Sequence, residues 1–122
     1  MTHSQAILFP DILAVSIDHL DAVLTLRIPE NLAYFAGHFD EIPVVAGVVQ
    51  IQWAVFYAQQ YLGLSGSFTH MEVIKFKELL LPNQQLELHL CYHKVLGKLT
   101  FCYQSASTEY SSGRLYFHDN TI

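Results

Sequence analysis

Residues 47–62 constrain the rest of the chain most. They form a sixteen-residue stretch with no proline, no internal glycine and no charge, and Gln50, Gln52, Gln59 and Gln60 are the amides that interrupt an otherwise apolar circumference. The stretch is too long for an ordinary strand and is read as a helix, although Val48, Val49, Ile51 and Val55 have modest helix propensity. A helix with no wet face has to be enclosed. It is also too short and too often broken by amides to cross a membrane.

The segments around it supply the enclosure. Residues 12–17 and 22–28 are rich in Ile, Val and Leu and are separated by Asp18-His19-Leu20-Asp21, which predicts a first hairpin. Pro29 ends the second strand, and residues 30–46 lack clean periodicity, as a structured loop does. Residues 63–67 close the helix, and period-two alternation follows. Leu86, Leu88, Leu90 and Tyr92 oppose Glu87, His89, Cys91 and His93, while Leu99, Phe101 and Tyr103 oppose Thr100, Cys102 and Gln104. A two-residue turn at Leu96-Gly97 would pair Tyr92 with Phe101 and Leu90 with Tyr103, and would set Cys91 opposite Cys102. A last strand is expected at residues 114–117. The order predicts an α+β chain, with a curved antiparallel sheet wrapped around one central buried helix. One sheet leaves much of such a helix uncovered in a chain of 122 residues, so a second subunit is expected to finish the enclosure as a homodimer or higher homo-oligomer.

Composition narrows the partners. With 52% hydrophobic residues the chain has material for one core, so residues 1–122 are read as a single domain. A formal net charge of -5 with six Lys and Arg lacks the basic footprint that nucleic acid requires. No signal-peptide pattern opens the chain and no run of eighteen apolar residues occurs, which predicts a soluble, cytoplasmic protein. Cys91 and Cys102 have no metal-ligand spacing, and His89 and His93 share a strand face without further ligands nearby, so no metal and no cofactor are expected.

The segment Gly37-His38-Phe39, continuing through Pro43 to Gly47 and Val48-Val49-Gln50-Ile51-Gln52-Trp53-Ala54, resembles the signature of bacterial 3-hydroxyacyl-[acyl-carrier-protein] dehydratases, which have the hot-dog fold. The likeness continues in Ile74-Lys75-Phe76 and Leu81-Pro82-Asn83-Gln84-Gln85-Leu86, similar to that family's K-F-x-x-P-V-x-P-G-D-x-L segment. Within the family it is most similar to the branch associated with aryl-polyene lipids.

The resemblance implies dehydration of a 3-hydroxyacyl thioester carried on acyl carrier protein or coenzyme A. That elimination needs a base at C2, a donor to the thioester oxygen and an acid for the departing hydroxyl. His38 is implied as the base, a role that suits imidazole's near-neutral pKa. The Gly47 N–H at the helix start is implied as the oxyanion donor. The family's acid, a Glu or Asp fourteen residues after the histidine, falls on Gln52, and an amide cannot donate a proton as an acid. Asp40 and Ala46 replace two of the family's usual prolines. Phe39, Val48, Trp53 and Phe56, with Tyr57, are candidates to line the acyl channel or to be plain core. Lys75, Lys77, Lys94 and Lys98 are candidates to guide an acidic carrier or to protect sheet edges. Two other functions stay open: a hot-dog thioesterase, and a catalytically degenerate acyl-binding or structural subunit.

Overall fold

A computed structural model describes residues 6–35 and 43–119. Its elements are β1 (Asp11–Asp18), β2 (Asp21–Arg27), α1 (Gly47–Leu62), β3 (Ser67–Phe76), β4 (Gln85–His93), β5 (Lys98–Gln104) and β6 (Glu109–His118). The six strands form one antiparallel sheet in the order β1-β2-β4-β5-β6-β3, laid against α1 as the order of elements predicts, in the hot-dog arrangement that the resemblance implies.

Alternation decides which face meets the helix. Leu24 and Leu26 of β2, Leu86, Leu88 and Leu90 of β4, Leu99, Phe101 and Tyr103 of β5, and Leu115 and Phe117 of β6 are all buried. Their registers, Leu24 with Leu88 and Leu88 with Tyr103, bring them into one apolar floor. From the helix, Gln50, Trp53, Ala54, Tyr57 and Ala58 meet that floor at the spacing of one helical face. Each large side chain taken from water there contributes roughly 1.5–3 kcal/mol.

The helix is not enclosed on all sides. Val48 and Phe56 are 62% and 42% exposed, and Gln52, Gln59 and Gln60 lie on the same open side. The aromatic and amide residues of α1 therefore divide into a buried stripe and an uncovered one.

The β4–β5 connection differs from the expected tight turn. Residues Lys94–Leu96 form a 3-10 turn closed by Gly97 at φ 62, a left-handed conformation that a side chain would strain, giving a four-residue loop with His93 opposite Lys98. The pairs are Tyr92 with Leu99, Leu90 with Phe101 and Leu88 with Tyr103, two residues away from the expected register. A shift of two keeps every side chain on its face, so the core is unaffected. Cys91 and Cys102 are separated by it, however. Cys91 faces Thr100 and Cys102 faces His89, and both thiols are free.

The strand β3 also departs from simple alternation. It begins at Ser67 and its pairing to β6 is interrupted between Phe68 and His70 and between Glu72 and Lys75. At the second irregularity Val73 has φ 54, an uncommon position for a β-branched residue. The extra residue there puts Lys75 on the outer face and Phe76 on the inner face, opposite Ser111. Downstream, Asn83 takes φ 66, a conformation that asparagine tolerates. No helix among the described residues is long and apolar enough to cross a membrane.

Candidate functional site

The start of α1 is built without the usual cap. Ala46 occupies the cap position and has no side-chain acceptor, and the first turn contains no acid. Its carbonyl accepts from Val49 N at 3.0 Å and Gln50 N at 3.2 Å. No group among the described residues accepts from the N–H of Gly47 or Val48. These two amides lie at the positive end of the helix dipole, where an anion is favoured.

Gly47 owes its lack of a side chain to a neighbour. A Cβ built on it would lie 2.5 Å from Cζ of Phe76, so the phenyl ring occupies that position. Phe76 is half-exposed and can swing outward. Gly47→Ala is therefore expected to fold but to displace the ring. Combining it with Phe76→Ala should turn the alanine from unfavourable to favourable, with a coupling of about 0.5–3 kcal/mol between contacting residues, read from urea midpoints of the four proteins.

The polar cluster under this turn was not singled out by sequence. Gln50 is 3% exposed, and its Nε2 donates to the Val45 carbonyl at 2.9 Å. Ser111 Oγ donates to Gln50 Oε1 at 2.6 Å and Tyr103 OH donates to the Gln50 carbonyl at 2.7 Å. Burial raises the Tyr103 phenol well above its ordinary value, which keeps it a neutral donor. Val45 is tied to the sheet side by its own N–H, which donates to the Leu80 carbonyl at 2.9 Å.

Gln52, by contrast, is exposed. It lines a groove of about 290 Å³ with Ile51, Val55, Phe56, Phe68 and Met71, between the open side of α1 and strand β3. Larger hollows exist, one of about 410 Å³ with Thr25, Glu87 and Gln104 on its rim, but they lie on the outer face of the sheet, away from the helix start. Phe56 belongs to the groove. Val48 stands exposed on the helix's first turn, beside Gly47. Trp53 is core: it is 1% exposed and its Nε1 donates to the Leu8 carbonyl at 2.9 Å. Tyr57 is core as well, packed by Phe9 and Phe56. His38 and Phe39 lie outside the described residues.

The four lysines do not gather in one place. Lys75, opposite Ser112, points to the outer face of the sheet, away from the helix, while Lys77 pairs with Glu109. Lys98 lies opposite Tyr116 and Lys94 is in the hairpin beyond, whereas Lys77 N bonds to the Tyr110 carbonyl. Along β6, at about 3.3 Å per residue, the position facing Lys98 is four residues from the one facing Lys75 and six from the one bonded to Lys77, roughly 13 and 20 Å. The outer face carries Cys102, whose thiol is pushed up to about 11 by burial and by Glu109 and so stays protonated at neutral pH.

A sequence profile described as ApeI dehydratase, of the ApeI-like type, matches residues 14–114. A curated relative, the 3-hydroxyacyl-[acyl-carrier-protein] dehydratase FabZ of Clostridium beijerinckii, is 25% identical over 80 residues, 60% of this chain. The aligned part spans 56% of that relative's length. Among solved structures, a chain of the dehydratase heterocomplex ApeI:P from Xenorhabdus doucetiae superposes with a TM-score of 0.84 at 29% identity, covering 91% of this chain and 99% of that one. An uncharacterized protein from Erwinia carotovora subsp. atroseptica superposes with a TM-score of 0.79 at 31% identity, covering 92% and 98%.

Proposed function

The chain belongs to the ApeI-like dehydratase family, and from that premise we propose that it eliminates water from a 3-hydroxyacyl thioester, carried on acyl carrier protein, to give the enoyl thioester. One observation carries the reading: the two N–H groups of Gly47 and Val48, with no acceptor among the described residues, stand at a helix start one turn from Gln52 and its apolar groove. The thioester oxygen binds at those amides, which stabilise the charge that develops when C2 loses its proton. The acyl chain lies along Ile51, Val55, Phe56 and Met71. In this reading His38 is the base, Phe39 a substrate-binding residue, and Gln52 orients the departing hydroxyl.

The reading completes the site across two copies of the chain, working in the cytoplasm in fatty-acid or polyene lipid synthesis. The uncovered side of α1 and the adjoining edge strand β3, with exposed Phe68 and Met71, support a second copy there. Lys75, exposed on the outer face of β3, is the lysine assigned to meet an acidic carrier. Lys77 is engaged by Glu109, and Lys94 and Lys98 serve the opposite end.

A second reading has support from Gln52, which is an amide where the acid is needed. In it the chain is the acyl-binding half of a pair whose other half is a related dehydratase, as the heterocomplex from Xenorhabdus doucetiae is a pair. The purified chain, given one carrier-linked 3-hydroxyacyl substrate, separates the readings when enoyl absorbance and free thiol are followed together. Enoyl growth without thiol supports dehydration. Thiol release without enoyl product indicates a thioesterase, and neither signal indicates a subunit inactive alone.

A further inference from the structure

We propose that Gln50 is a positioning residue of this site, holding the helix start in the orientation in which the Gly47 and Val48 N–H groups face the thioester oxygen. The inference rests on the proposed function for what those amides bind, and on the geometry for how they are held. A helix start with no side-chain cap is normally free to fray, because its first N–H groups have no partner that fixes their direction. Here the constraint comes from inside. The Gln50 side chain reaches back one turn and donates to the carbonyl of Val45, two residues before Gly47. Its other end accepts from Ser111 on the floor of the sheet. One amide thus joins the segment leading into the helix to the sheet beneath it, and Leu80 holds the same Val45 through its N–H.

The arrangement is specific to a primary amide. The group that meets Val45 must donate and the group that meets Ser111 must accept, and both are buried, so neither bond can be replaced by water without opening the core. Methionine in place of Gln50 matches its length and removes both bonds. Tyr103 offers a contrast, since its hydroxyl meets only the Gln50 main-chain carbonyl and leaves the Val45 bond in place.

The test compares wild type, Gln50→Met, Ser111→Ala and Tyr103→Phe, each assayed well below its melting temperature. Gln50→Met is expected to lower kcat about tenfold to hundredfold, a part of the hundredfold to thousandfold worth of a well-aimed oxyanion donor, with KM within about threefold of wild type. Its Gly47 and Val48 amide resonances should also shift in the protein without substrate, and their response to an acyl-pantetheine amide probe should weaken. Ser111→Ala should do the same to a smaller degree, and carries the test if Gln50→Met does not fold. Tyr103→Phe should lower the melting temperature while leaving kcat and the two resonances unchanged. A folded Gln50→Met, or in its absence Ser111→Ala, with wild-type kcat and unmoved resonances overturns the inference. So does a Tyr103→Phe that loses as much kcat as Gln50→Met. If wild type itself makes no enoyl product, the dehydratase reading fails, and the resonances alone then decide the role of Gln50.

Discussion

Gln52→Glu is expected to raise the rate of enoyl formation by about a hundredfold to ten-thousandfold, the usual worth of a general acid. The position is suited to gain one. Gln52 lies on the open side of α1 in a groove whose other walls include Ile51, Phe56, Phe68 and Met71. Once an acyl chain or a second copy covers the groove, a carboxyl there is desolvated, which disfavours its charged form and raises its pKa, so a larger fraction carries the proton that the leaving hydroxyl requires. The substitution removes no buried bond, because Gln52 is exposed, and surface changes of this kind usually stay within about 0.5 kcal/mol of stability. The check is enoyl absorbance at equal protein concentration, with the urea midpoint measured beside it. A rate that does not rise while the protein stays folded means the hydroxyl takes its proton from somewhere other than this position.

The contrast between Gln50 and Gln52 marks where the sequence stops being legible. Two residues on a helix are about 200° apart, so of two amides in an apolar run one had to face the sheet and the other away from it. Composition cannot choose between them. The resemblance points to residue 52 for chemistry, but the partners that make residue 50 buried, Ser111 and Tyr103, come from strands far along the chain. The faces of β4 and β5 were readable because period two is a local property, whereas their register depended on how four residues from Lys94 to Gly97 close a loop. Likewise nothing local announces the irregularity at Val73 that carries Phe76 against Gly47, or the Leu8 carbonyl over Trp53. The extent of the helix, by contrast, was set by the absence of breakers from residue 47 to residue 62, and the structure has the same bounds.

His38→Ala is expected to remove enoyl formation by about a hundredfold to ten-thousandfold, with little change in how tightly the thioester is held, since a base acts on the proton and not on the acyl chain. The expectation draws on where the other imidazoles stand. The chain has seven histidines. Among the described residues, His19 is in the β1–β2 turn, and His70, His89, His93 and His118 alternate with inward residues on the outer face of the sheet. None of these faces the helix start of its own chain, so within one copy a histidine base for substrate bound at Gly47 comes from outside the described residues. His38 is nine residues before Gly47 along the chain that leads into the helix, and His3 is the only other choice. His3→Ala beside His38→Ala, in single-turnover assays on wild type and on Gln52→Glu, separates the two. If His38 and residue 52 act in one elimination step, the double variant His38→Ala/Gln52→Glu should be about as slow as His38→Ala alone, because groups that act as a unit do not add. Should Gln52→Glu accelerate the His38→Ala protein as much as it does wild type, the two positions work independently and the imidazole is not the base.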